Sequence, residues 1–188
     1  DLDVADTAMC RDTLGRLLQD EGRVDVLVNN AGITRDGAFK RMTPEQWFEV
    51  IHTNLCSLYN VTQPLFDAMC EQRDARIINI SSVNGQKGQF GQVNYSAAKA
   101  GMLGFTKALA AEGARFGVTV NAIAPGYTAT PMVEAIRTDI LDSIKADIPM
   151  RRLAKPEEIA AAVVFLASEA GAYITGETLA INGGLYMK

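Results

Sequence analysis

The chain reads as one α/β domain built on an open parallel sheet with helices on both faces, and three observations lead there. Short runs of β-branched and apolar residues recur along the sequence, each stops in a turn containing Asn, Gly or Pro, and the stretches between them carry helical patterning. Strands that read as continuous apolar runs belong to sheets buried on both faces, which parallel strands joined by right-handed helical crossovers provide.

The elements follow in order. Val24-Asp25-Val26-Leu27-Val28 is a strand closed by Asn29-Asn30-Ala31-Gly32. Thr43-Pro44-Glu45-Gln46 is a helix start, with Thr43 as N-cap, Pro44 at the first helical position and Gln46 able to close a capping box. The apolar stripe behind it runs Trp47, Val50, Ile51, Leu55, Leu58 and Tyr59, and the polar Asn54 falls on that same face. Pro64, lacking a backbone donor, is expected to kink or break the helix. Arg76–Ile80 is a strand, Ser81–Gly91 a glycine-rich stretch, Tyr95–Phe116 an alanine-rich helix, and Val118–Ile123 a strand stopped by Pro125-Gly126. Residues 127–154 form a connection with one or two short helices, long enough to be a lid. Pro156–Ala167 is the last helix and Thr178–Ile181, before Asn182-Gly183-Gly184, the last strand.

Composition narrows the function. With 188 residues, 48% hydrophobic and 21% charged, the chain buries a sizeable core in one domain. A net charge of −4 offers no basic footprint for nucleic acid. Cys10, Cys56 and Cys70 show neither CxxC pairing nor a histidine-rich neighbourhood, which argues for reduced thiols in a cytoplasmic protein and against a disulfide framework or metal site. The longest apolar run, Ile159–Ala167, is far short of the roughly 20 residues a bilayer requires. The chain begins at Asp1 and not at Met, and the expectation is that the gene product starts upstream.

In open parallel sheets a ligand sits beyond the carboxyl ends of the strands. The three informative strand ends are Asn30-Ala31-Gly32, Ser81-Ser82 and Pro125-Gly126, all expected on one crevice. Tyr95 and Lys99 lie four residues apart near a helix start, placing a phenol and an ammonium on one face. The cation is expected to draw the phenol, whose ordinary pKa is about 10, toward working range. Hydroxyls from Ser82 and Tyr95 converging on a ketone oxygen would supply the proton that must accompany hydride delivery to carbon, with no metal required.

Asn30-Ala31-Gly32, Asn54, Ser82, Tyr95, Lys99 and Pro125-Gly126 resemble, in order and spacing, the motif set of the short-chain dehydrogenases/reductases, and the resemblance covers essentially the whole chain. It implies a Rossmann-type doubly wound sheet and an NAD(P) cofactor, with NADPH preferred and NAD not excluded. It also implies Tyr95 as general acid, Ser82 as carbonyl orienter, Lys99 as ribose ligand and pKa modifier, and Asn54 as support for a water-linked proton relay. Asp3, Val4, Asn30, Ala31, Gly32, Pro125, Gly126 and Thr128 are the implied further cofactor contacts. Within the family, Asn29–Asp36, Asn84–Gln92 and the ending Asn182–Met187 are similar to reductases of 3-oxoacyl thioesters, acetoacetyl-CoA above all, with carrier-protein thioesters as the alternative. Gln89, Phe90, Gln92 and Tyr127 match positions touching the acyl part of that substrate. Relatives form tetramers through the long helices and the last strand, so a homotetramer is expected.

The family's opening strand, glycine-rich phosphate turn and helix are missing from this chain, which therefore reads as a partial domain over 1–188. Asp1–Val4 reads as the end of its third strand. A catalytically silent fragment is the reading of another class. Duller accounts stand beside several residues. Asn54 could cap a kinked backbone, Ser82 could bond its own turn, and the glycines at 85, 88 and 91 could mark only a flexible loop. His52 reads as a helix-surface residue, Trp47 as a core anchor, Met102, Met132 and Met150 as packing or lid residues, and Arg151-Arg152 as a solvated pair or an anion contact.

Overall fold

Four strands lie side by side in chain order, all parallel, in the computed structural model, which describes residues 2–134 and 136–187. Asp1 and the Met132 side chain, both named above, lie outside the described residues. The elements are α1 (Thr7–Glu21), β1 (Val26–Asn29), α2 (Pro44–Ile51), a π-helical turn (His52–Cys56), α3 (Ser57–Gln72), β2 (Ala75–Ile80), α4 (Val83–Lys87), α5 (Val93–Gly113), β3 (Val118–Pro125), α6 (Pro131–Glu134), α7 (Thr138–Asp147), α8 (Pro156–Ala167) and β4 (Thr178–Ile181). Register runs Val26 opposite Arg76, Ile77 opposite Val120, and Ile123 opposite Leu179.

The two central strands are buried along almost their whole length, as their continuous apolar character requires. On one face Ile77, Val118 and Val120 pack with Leu65 and Met69 of α3, Ala110 of α5, and Cys10 and Leu14 of α1. On the other, Ile78 and Ile123 pack with Leu166, Ile159 and Val163 of α8. Val26 and Val28 of β1 stay about 40% exposed on that second face, which α8 covers only over β2 and β3.

Local chemistry explains most boundaries. Thr43 Oγ1 accepts from the Gln46 N–H while Gln46 Oε1 accepts from the Thr43 N–H, closing the expected capping box. Pro156 opens α8, and the Lys155 N–H donates to Glu158 Oε2 at 2.8 Å. Pro64 does not break the helix: α3 continues to Gln72, because Leu58, Val61, Leu65 and Met69 are buried on either side of it and their packing outweighs one missing backbone bond. A separate irregularity falls at Asn54, inside the π turn. Leu2 to Val4 form no strand, since no neighbour pairs with them among the described residues; Leu2 and Val4 pack on the core, and the Val4 carbonyl accepts from Asn60 Nδ2 at 2.9 Å. Helix α1, capped by Asp6, was not expected from its sequence.

A buried polar ladder seats α5 under the sheet. Asn29 Nδ2 donates to Asn79 Oδ1 (2.9 Å), Asn79 Nδ2 donates to Thr106 Oγ1 (2.9 Å), and Thr106 donates to the Met102 carbonyl (2.8 Å). Asn79 and Thr106 are wholly buried, so each polar atom must find such a partner. The ladder joins β1, β2 and α5 at the depth where the strands end.

Candidate active site

Beyond the ends of β2 and β3 lies a cavity of about 320 Å³, lined by Ser82, Gln92, Tyr95, Gly126, Tyr127 and Thr128 among others. Thr34 and Asp36, from the loop after β1, and Val133 and Ile136, from the 127–154 excursion, complete its walls. Volume and mixed lining suit a small-molecule site.

The second and third strand ends meet there as expected, but the first does so only in part. Asn30 and Ala31 line a separate cavity of about 200 Å³ with Leu2, Val4 and Met102. Gly32 follows them, against Asn54 and Lys99: a Cβ on Gly32 would stand 2.6 Å from Asn54 Oδ1 and 3.6 Å from Lys99 Nζ. Asp3 is exposed and lines neither cavity, its carboxylate accepting the Ala5 N–H at 2.9 Å. Gln89 and Phe90 also stay out: Gln89 Oε1 accepts from Lys87 Nζ, and Phe90 is 90% exposed on the loop before α5.

Asn54 is fully buried in the π turn. Its Nδ2 donates to the carbonyls of Ile33 (2.9 Å) and Val50 (2.8 Å), and its Oδ1 accepts from the Ile33 N–H (3.1 Å). The amide thus fastens the loop after β1 to the distorted helix. Ser82 follows the end of β2 by two residues, and its Oγ accepts the Asn84 N–H as N-cap of α4. Within the glycine-rich stretch Val83–Lys87 is therefore a short helix packed on α5, where a Cβ at Gly85 would stand 2.7 Å from the Lys99 carbonyl carbon.

Lys99 is buried on α5, its ammonium donating to the Ile80 carbonyl at 2.7 Å, while Ser81 Oγ donates to the Lys99 carbonyl at 2.8 Å. Burial lowers the Lys99 ammonium from its ordinary 10.5 to about 8. It is still mostly a cation at neutral pH. Its Nζ lies 5.7 Å from the centroid of the Tyr95 ring. The Tyr95 phenol behaves otherwise than expected. Burial raises its pKa, hydrogen bonding with Ser82 works the other way, and the Asp36 charge adds to the rise. The phenol stays protonated at neutral pH, the form that gives up a proton. Tyr127 is pushed up in the same sense, first by burial and then by Asp36 and Asp147.

Three further polar residues of this region, Asp36, Asn84 and Asn94, had no role expected from the sequence. Asp36 accepts from Gln92 Nε2 (2.9 and 3.0 Å), and Gln92 Oε1 accepts from Asn84 Nδ2 (2.8 Å), a chain along one cavity wall. Asn94 lies wholly buried beside Tyr95. For Asp36 and Asn84 the sequence signal was polar type within the Asn29–Asp36 and Asn84–Gln92 runs, whereas Asn94 lies outside both. Arg151 and Arg152 are both exposed, and Arg152 is held by Glu158 through two hydrogen bonds of 2.6 Å. His52 is exposed, and Trp47 is half-buried in a shallow groove with Phe39 and Met42.

A family model described as enoyl-(acyl carrier protein) reductase matches residues 1–186. The chain belongs to the short-chain dehydrogenase/reductase family. It is 70% identical over 167 residues to an acetoacetyl-CoA reductase of an Acinetobacter strain, covering 89% of this chain and 67% of that protein. Against the acetoacetyl-CoA reductase of Rhizobium meliloti the identity is 58% over 185 residues, covering 98% and 77%. Against a 3-oxoacyl-[acyl-carrier-protein] reductase of Vibrio harveyi it is 48% over 186 residues, covering 99% and 76%. The chain thus spans two thirds to three quarters of these relatives' length. The family works with a nicotinamide cofactor, and the residues present fit its reactive half. Lys99 has spent one of three ammonium donors on Ile80, and the glycine at position 32 leaves free a space that a Cβ would fill beside that ammonium.

Proposed function

We propose that this chain is the catalytic part of a cytoplasmic reductase that uses NADPH to reduce the 3-keto group of a 3-oxoacyl thioester, acetoacetyl-CoA giving 3-hydroxybutyryl-CoA. The observation that carries the proposal is the meeting of Ser82 and a protonated Tyr95 on one cavity, with the Lys99 cation behind the phenol ring. The names of the 70% and 58% identical relatives support CoA as the carrier. The 48% identical relative favours a second reading, a carrier-protein thioester.

The cofactor, when bound, supplies the hydride that goes to the keto carbon. Ser82 Oγ donates a hydrogen bond to the keto oxygen and fixes its direction. Tyr95 passes its proton to that oxygen as negative charge grows there, and the Lys99 cation stabilises the phenolate left behind. Lys99 would also hold the ribose, with Val4, Asn30, Ala31 and Gly32 on the β1 side and Pro125, Gly126 and Thr128 on the β3 side as further contacts; Asp3 has no such placement. Asn54 acts by holding the loop that carries Gly32, which keeps open the route by which Lys99 and solvent return a proton to Tyr95. Gln92 and Tyr127 border the acyl group, and residues 127–154 act as the lid, Val133 and Ile136 excluding water from above.

The proposed assembly is a homotetramer, supported by an exposed groove between α3 and α5 that presents Tyr59, Phe66, Phe105 and Leu109. Among the described residues no helix is long and apolar enough to cross a membrane, and the three cysteines are free thiols.

The test is intact mass of the purified protein, followed on the same sample by NADPH oxidation with acetoacetyl-CoA and with a carrier-protein thioester. Faster turnover of the CoA thioester is the expected result; faster turnover of the carrier thioester establishes the second reading. A folded protein that binds NADPH and reduces neither overturns both and leaves the silent fragment.

A further inference from the structure

Asn94 lies next to Tyr95 in sequence and is wholly buried, yet it faces no substrate space. All the hydrogen bonds of its amide go to backbone, and they reach three separate elements. Nδ2 donates to the Arg35 carbonyl (3.1 Å) in the loop after β1 and to the Gln46 carbonyl (3.0 Å) in the first turn of α2. Oδ1 accepts the Tyr95 N–H at 2.8 Å.

That last bond answers a local need. Tyr95 occupies the third position of α5, where the backbone N–H has no acceptor within the helix. An N-cap side chain ordinarily fills the gap, but Gln92 makes no capping bond, its own amide being committed to Asp36 and Asn84. Asn94 caps from inside the helix. The same amide ties α5 to Arg35, the residue before Asp36, whose charge bears on the phenol. Two residues earlier in that loop, Ile33 is held by Asn54 in the same manner. The loop is therefore pinned at alternate residues by two buried amides, one from the π turn and one from α5.

We propose that Asn94 is a positioning residue for the reaction: it sets the start of α5 against the loop after β1 and against α2, and so fixes where the Tyr95 hydroxyl stands relative to Ser82 and Asp36. The inference rests on Tyr95 being the proton donor of the proposed reduction. It acts through Tyr95 and touches no reacting atom.

The test uses Asn94→Ala and Asn94→Ser, the serine being small enough to fold and able to accept one N–H but unable to reach both carbonyls. The deciding readout needs no turnover. Phenolate absorbance is titrated for each protein against its own Tyr95→Phe version, which isolates Tyr95. The expected result is a Tyr95 titration displaced downward from that of the parent, as the phenol loosens from its buried place. Where the parent reduces a thioester, kcat of the folded variants should fall by on the order of 10–100-fold, the cost of misplacing a reacting group by about 1 Å, with KM little changed. A Tyr95 titration identical to the parent's, whatever the loss of stability or rate, overturns the proposal. A parent without turnover counts against the proposed function alone, and the titration still decides the role of Asn94.

Discussion

The two sides of the cavity are held by different means. On the α5 side, buried amides of Asn54 and Asn94 and the Lys99 ammonium fasten loop, helix and strand end by seven hydrogen bonds between 2.7 and 3.1 Å. On the other side, α7 has no buried residue. The 127–154 excursion closes on itself at its neck, where the Ala154 N–H donates to the Tyr127 carbonyl and the Ala129 N–H to the Ala154 carbonyl. Ile148, at 2% exposure, and the exposed Arg152–Glu158 pair hold its far end. For the proposed reaction the difference teaches a division of labour: the groups proposed to react sit where burial penalises any movement, and the segment proposed to cover the substrate sits where few contacts resist it.

The sharpest way to break this contrast is Tyr95→Phe, which should lower kcat by about 10²–10⁴-fold, the usual worth of a positioned general acid, with an unchanged melting curve. Steady-state kinetics on the folded variant checks it, and normal turnover would remove Tyr95 from the mechanism. Next comes pH. Because Lys99 titrates at about 8 while burial holds Tyr95 above its ordinary 10.0, the alkaline fall of kcat should follow Lys99 and begin near pH 8. The sign for stability is opposite. The fold disfavours the charged ammonium, so its penalty is fully present below pH 8 and is relieved as pH rises from about 8 toward 10.5. A kcat limb that starts only above pH 10 would assign it to the phenol.

Gly32→Ala tests the stiffness of the α5 side directly. The added methyl would stand 2.6 Å from Asn54 Oδ1, and forcing it in should cost about 1–3 kcal/mol together with a loss of kcat. Ile136→Ala, on the compliant side, should raise KM by roughly 3–10-fold through lost apolar contact, leaving thermal stability unchanged. The smallest effect belongs to Glu158→Gln. Arg152 and the Lys155 N–H hold this carboxyl at about 2 against an ordinary 4.5, so its contribution is complete above pH 4.5 and disappears as pH falls toward 2. Melting curves of parent and variant should differ slightly at pH 7 and converge at the acid end.

What could be read in advance was local. Pro156 at a first helical position and the Thr43-Pro44-Glu45-Gln46 cap fixed two helix starts to the residue, and Thr178–Ile181 matched its strand completely. Where local signals were weak or misleading, expectation failed. Helix α1 buries only Cys10 and Leu14, too little apolar stripe to announce itself. Ser81–Gly91 read only as a glycine-rich stretch, and the helix Val83–Lys87 inside it went unannounced because its glycine at 85 serves close packing on Lys99, a tertiary demand invisible along the chain. Pro64 suggested a kink or a break, and the surrounding burial carries the helix through without the break.

For the candidate site the same boundary applies. The sequence by itself determined the parallel α/β framework, the family, and the presence of Ser82, Tyr95 and Lys99 at strand end and helix start, because strand periodicity, caps and motif spacing are properties of neighbouring residues. Only the tertiary structure decided that the Tyr95 phenol is raised and not lowered, that Gln89 and Phe90 stand outside the cavity, and that Asn54 and Asn94 spend their amides on a loop far away in sequence. Those outcomes depend on burial and on distances between segments separated by tens of residues, and desolvation acts only once the chain has closed around the group.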